Sequence, residues 1–152
     1  MAQPNWFAQL KWSNPVTVAS LNQDRTVIPD FPGCYAFTDN VGALLPRQVL
    51  YIGEAKTSLR QRLPVYLIDW TRKLPPGSKG HKGKGFLLME RQNRGDHGLY
   101  VRWVQYGGGA ADISLLESSL IEYLLPHYND RDESVRHGIM GDWERLDSRL
   151  LL

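Results

Sequence analysis

The chain has one cysteine, Cys34, among 152 residues, so no intrachain disulfide can staple it and the fold must rest on a buried core. Cys34 stands between Gly33 and Tyr35 in an apolar stretch, with no histidine paired to it. It reads as a small buried thiol rather than a nucleophile. The histidines His81, His97, His127 and His137 have no metal-site spacing with one another or with the cysteine. The phosphate-loop patterns GxGxxG and GxxxxGK followed by Ser or Thr are absent, which leaves nucleotide-triphosphate hydrolysis without support. No apolar run reaches membrane-spanning length. MAQPNWFAQLKW at the N-terminus lacks the basic flank and long apolar core of a secretory signal. A soluble, cytoplasmic protein is expected.

Net charge is also scarce, +2, but it is unevenly spread. Residues 56–94 hold ten Lys or Arg against Asp69 and Glu90, whereas 130–148 are rich in acids. A local positive field suits a polyanion without identifying one. The size favours one domain over 1–152.

Apolar, aromatic-rich runs at CYAFT (34–38) and VLYIG (49–53) predict strands of an antiparallel hairpin. LYVRWVQY alternates as a strand should, and VTVAS (16–20) reads as another strand after a short helix around 5–11. Ser58 is a candidate N-cap for a helix to about residue 70, with Pro64 forcing a restart or kink. A second helix is expected from about Asp112 to Leu125, capped by Asp112 and stopped by Pro126, burying Leu115, Leu116, Leu120, Ile121 and Leu124. KLPPGSKGHKGKG is a loop by composition, and short helices are expected within 130–152. The fold class is α/β in the α+β sense, a small antiparallel sheet with helices against it.

Four residues can carry phosphodiester chemistry, which needs an activated water, positive charge on the phosphoryl group and support for the leaving oxygen. Glu117 sits in an apolar part of its helix, where an unpaired charge is costly unless it binds a metal or a partner. One carboxylate suffices for Mg2+ or Mn2+, since magnesium keeps several waters. Arg62 can fork onto a phosphate. Tyr51 can accept or pass on the proton of the attacking water, with Tyr35 supporting the network from the neighbouring strand. The plainer alternative for the tyrosines is half-buried strand aromatics, and for Arg62 a solvated helix arginine. Glu122, rotated to a different face, reads as solvated.

GCY at 33–35, YIG at 51–53, an arginine in LRQRL and the segment LLESSLIEYLLPHYN occur in this order. Together they resemble the GIY-YIG nuclease superfamily, which includes the N-terminal nuclease domain of UvrC and small homing and restriction endonucleases. The resemblance spans about residues 31–130, with extensions at 1–30 and 130–152 and a basic insertion at about 71–99. It implies a three-stranded antiparallel sheet flanked by helices, and one-metal hydrolysis leaving a 5′-phosphate and a 3′-hydroxyl. It also implies active-site places for Tyr66, Asn129 and Glu117, the last as metal ligand, although Asn129 can equally stabilise the turn after Pro126. DNA, in the duplex form, is the expected partner. The oligomeric state stays open, a dimer included.

Glu54 follows YIG where repair members commonly carry lysine, and Lys56 is the candidate replacement for that charge. Lys56, Arg60, Lys79, Lys82 and Lys84 are the candidate DNA contacts. Two functions remain in contention: a metal-dependent endonuclease, and a catalytically inactive nucleic-acid-binding or structural protein on the same scaffold. Restriction, repair, mobile-element and toxin roles are not separable from these residues.

Overall fold

The computed structural model describes residues 3–67, 87 and 90–129. Lys79, Lys82, Lys84, His81 and the helices expected within 130–152 lie outside the described residues. The element order is α1 (Asn5–Ala8), β1 (Val16–Thr17), α2 (Val18–Gln23), a 3-10 turn at Arg25–Val27, β2 (Gly33–Thr38), β3 (Tyr51–Ala55) and α3 (Leu59–Arg62). A 3-10 turn at Leu63–Tyr66, helix α4 (residues 90–94), β4 (Tyr100–Gln105) and α5 (Ala110–Leu124) follow.

The four strands form one open antiparallel sheet in the order β1-β4-β2-β3. The expectation of three strands is therefore corrected to four. The extra strand comes from VTVAS, of which only Val16 and Thr17 stay extended, pairing with Val101 and Tyr100. The rest turns into α2 because Thr17 caps it, its Oγ1 accepting from Ser20 N–H at 3.0 Å. That local bond overrides the strand preference of the sequence.

Alternation splits the sheet into two faces. Tyr35 and Phe37 of β2 join Tyr51, Val101 and Trp103 on one face, covered by α2, α3 and the following 3-10 turn. Cys34 and Ala36 join Ile52, Val104 and the apolar side of α5 on the other, with Phe7 and Leu10 from the N-terminal segment. The expected buried side of α5 holds at Leu116, Leu120, Ile121 and Leu124, but Leu115 is only half-buried and Ile113 is buried instead. Asp112 does serve the start of α5, from inside the first turn: its Oδ2 accepts from Gly109 N–H at 3.1 Å. The helix ends at Leu125, which takes a left-handed φ of 50° before Pro126.

Gly33 allows β2 and β4 to lie close, since a Cβ there would fall on the backbone oxygen of Val104. Ser58 caps α3 as expected, accepting from Gln61 N–H at 3.3 Å, and Pro64 falls in the 3-10 turn where the helix restarts. Among the described residues no helix is long and apolar enough to cross a membrane.

Candidate active site

β3 is an edge strand, and the candidate residues collect along it. Tyr35 on β2 faces Gly53 across the pair, and its ring lies over that glycine. A Cβ at Gly53 would clash with both Cζ and Oη of Tyr35, so the glycine of YIG is what lets the tyrosine of GCY reach the sheet edge. There the Tyr35 hydroxyl meets the Tyr66 hydroxyl at 2.7 Å. Tyr66 also shares a side-chain hydrogen bond with Tyr51. The rings pack with centroids 5.5 Å apart for Tyr35–Tyr66 and 6.2 Å for Tyr51–Tyr66. Three phenols from two strands and a 3-10 turn thus form one connected chain.

Burial drives the Tyr35 phenol well above its ordinary value, with the neighbouring phenols adding to the effect and Arg62 opposing it. Burial likewise raises Tyr66, against the hydrogen bonds from Tyr35 and Tyr51 and the charge of Arg62. Both stay protonated at neutral pH and can serve as donors. Tyr51, 8% exposed against 0% and 1% for Tyr35 and Tyr66, is the member nearest solvent.

Charges of both signs reach this cluster. Arg62, at the end of α3, acts on Tyr35 and Tyr66. Glu117, half-buried on α5 beneath the opposite face, acts on Tyr66 and on the Cys34 thiol. Arg62 also lines a cleft of about 400 Å3, with Glu54, Lys56, Thr57, Ser58 and Gln61.

Asn129 is not a cap of the turn after Pro126. Its Oδ1 accepts from Ile52 N–H and its Nδ2 donates to Ile52 C=O, both at 2.8 Å, which fixes the outer edge of β3 beside Tyr51. Lys56 Nζ stands 3.4 Å from Glu54 Oε1, so its charge is partly answered within the protein. Arg60 donates Nε to Ile28 C=O at 2.8 Å and so supports the segment before β2. Cys34 is fully buried, and burial pushes its thiol well up, as expected of an inert core thiol. Glu122 is half-buried rather than fully solvated.

Among the described residues no group of three or more His, Cys, Asp or Glu is placed to hold a metal. The donors available therefore do not suit a closed, multi-ligand centre. A single half-buried carboxylate at Glu117 suits a hard, water-rich ion such as Mg2+ or Mn2+. Reasoning from the sequence overlooked Arg91, whose Nη1 donates to Tyr66 C=O at 3.0 Å, and the bond from the Tyr128 hydroxyl to Glu90; the i,i+4 pair Glu90–Arg94 was the one local signal.

No protein-family model matches the chain. It is similar to UvrABC system protein C from two strains of Porphyromonas gingivalis, 31% identical in each case over 114 residues. That stretch is 75% of this chain, which spans only 15% of the length of those relatives. The likeness is distant and partial, consistent with membership of the GIY-YIG superfamily and nothing finer.

Proposed function

We propose that the protein is a divalent-metal-dependent endonuclease that hydrolyses phosphodiester bonds of DNA. The observation that carries the reading is the hydrogen-bonded Tyr35–Tyr66–Tyr51 chain, reached by the charges of Glu117 and of Arg62, which lines an open cleft. Arg62 holds the scissile phosphate by two of its oxygens, the fork geometry matching them. Tyr51, acting as its phenolate, takes a proton from the attacking water while the chain through Tyr66 to Tyr35 orients its oxygen. The water oxygen bonds to phosphorus, the bond to the 3′ oxygen breaks, and that oxygen takes up the proton that Tyr51 returns through solvent, giving a 5′-phosphate and a 3′-hydroxyl. Glu117 would hold Mg2+ or Mn2+, which supplies positive charge for the developing phosphate oxygens.

The Lys56–Glu54 pair gives the second reading its one support, since it reduces the positive charge available near Tyr51. On that reading the scaffold binds nucleic acid without cutting it. Plasmid nicking with Mg2+ or Mn2+ separates the two. The natural chain should nick, and Glu117→Ala should lose at least about a hundredfold in rate, the scale of removing one dominant charge-stabilising group. Undiminished metal-dependent nicking by Glu117→Ala would end the ligand assignment. Salt-sensitive DNA binding with no cleavage by the natural chain would favour the binding protein.

A further inference from the structure

Glu90 and Arg91 are adjacent in α4, outside every motif that points to phosphodiester chemistry, and both reach toward the tyrosines. Glu90 is 6% exposed, rare for a carboxylate. Its Oε1 accepts from the Tyr128 hydroxyl and its Oε2 from Arg94 Nε. Tyr128 belongs to a strap along the outer edge of β3. His127 N–H donates to Val49 C=O and Tyr128 N–H to Leu50 C=O, each at 2.9 Å. Asn129 then closes both backbone groups of Ile52. Tyr51 lies between two strapped residues.

Arg91 acts on the other member of the chain. Its Nε and Nη2 form a fork with Asp96 Oδ1 and Oδ2 at 2.7 and 2.9 Å, while Nη1 donates to Tyr66 C=O at 3.0 Å. The same peptide group is held on its other side, since Leu67 N–H donates to Pro64 C=O at 3.0 Å. A guanidinium locked by a bidentate carboxylate is a rigid donor.

We propose that α4 braces the tyrosine chain, with Glu90 and Arg91 as positioning residues: Glu90 through Tyr128 and Asn129 for the Tyr51 strand, Arg91 for the backbone of Tyr66. The need follows from where the tyrosines sit. Tyr51 is on an edge strand, which β2 holds on one side only, and Tyr66 ends a short 3-10 turn outside the sheet. The hydroxyl contacts weaken steeply with distance, and a shift of about 1 Å in a catalytic group can cost on the order of a hundredfold in rate. The catalytic consequence rests on the endonuclease reading; the brace itself does not.

The test uses hydrogen exchange in the full chain, followed by NMR, with cleavage kinetics beside it. In Tyr128→Phe and Glu90→Ala the Ile52 amide should exchange about tenfold faster or more, as expected when a hydrogen bond to a charged group is lost. Glu90→Gln keeps an acceptor for Tyr128 and should restore most of the protection. Arg91→Lys, unable to hold Asp96 and Tyr66 together, should release the Leu67 amide in the same way. The β4 amides should be unchanged throughout, and kcat should fall with KM little altered. Unchanged Ile52 and Leu67 amides, or equal acceleration in β4, would overturn the brace. Absence of cleavage by the natural chain would refute the endonuclease reading and leave the exchange pattern to decide the brace.

Discussion

Cys34 and Tyr35 are neighbours on β2 and both are fully buried, yet they face interiors of different chemistry. The Cys34 side is largely apolar packing, from Phe7 and Leu10 through Ile52 and Val104 to Ile113, Leu116 and Leu120 of α5. A thiol belongs there because it needs little from its surroundings; it donates to Ile113 C=O at 3.8 Å. The Tyr35 side buries phenols, and each buried hydroxyl must find a partner or cost about 1–3 kcal/mol. They find one another, and the chain they make runs out to the edge at Tyr51. One face therefore holds the sheet together, while the other carries polar groups through the core to the edge strand.

Gly53→Ala should break this comparison most severely. The new methyl would strike the Tyr35 ring, which full burial and the Tyr66 bond hold in place. Overpacking plus a lost buried hydrogen bond should cost about 3 kcal/mol in urea unfolding. A loss under about 1 kcal/mol would show the tyrosine face to be loosely packed. Tyr66→Phe comes next, because its hydroxyl is shared by Tyr35 and Tyr51. It should cost about 2 kcal/mol in stability and lower the nicking rate out of proportion to that loss, as a folded but unaligned site would.

Cys34→Ala, one residue from Tyr35, sharpens the contrast from the other side. It should cost about 1 kcal/mol, from the lost sulfur contacts, and leave the nicking rate of folded protein unchanged. A fall in rate would mean that the two faces are not separate in function. The smallest effect is an alkaline one at Tyr128. The bond to Glu90, then burial, pushes this phenol from 10.0 up to about 12. The folded chain thus holds the proton more tightly than the unfolded chain between those values, so this contribution is complete below pH 10 and declines above it. Tyr128→Phe should flatten the fall in stability between pH 10 and 12, measured by urea midpoints at each pH.

The central strands and the long helix were legible because their patterns are local. Two-residue alternation marks β4, and the spacing of Leu116, Leu120 and Leu124 marks α5. Tyr35, Tyr51, Arg62 and Glu117 could be singled out as chemically able, and the resemblance gave Tyr66 a place in the site, but the meeting of its hydroxyl with that of Tyr35 depends on the ring of Tyr35 crossing Gly53. The start of β3 was placed early. Val49 and Leu50 read as strand residues, yet their carbonyls pair with His127 and Tyr128 rather than extending the regular ladder. Likewise Glu90 and Arg91 look like ordinary helix-surface charges, because their partners Tyr128 and Tyr66 are 38 and 25 residues away. Contacts of that range leave no periodic trace.

The span between Ile52 and Asn129 has a consequence for synthesis. The residue that closes the outer edge of β3 is made 77 residues after the strand it closes. At ordinary elongation rates of about 5–20 residues per second, that is a delay on the order of 4–15 s. During it, nascent β3 presents open backbone groups of the kind that other chains pair with. The tyrosine chain cannot be strapped until Asn129 has left the ribosome, so a protein built this way is assembled late, with the edge beside Tyr51 the last part of the sheet to be sealed.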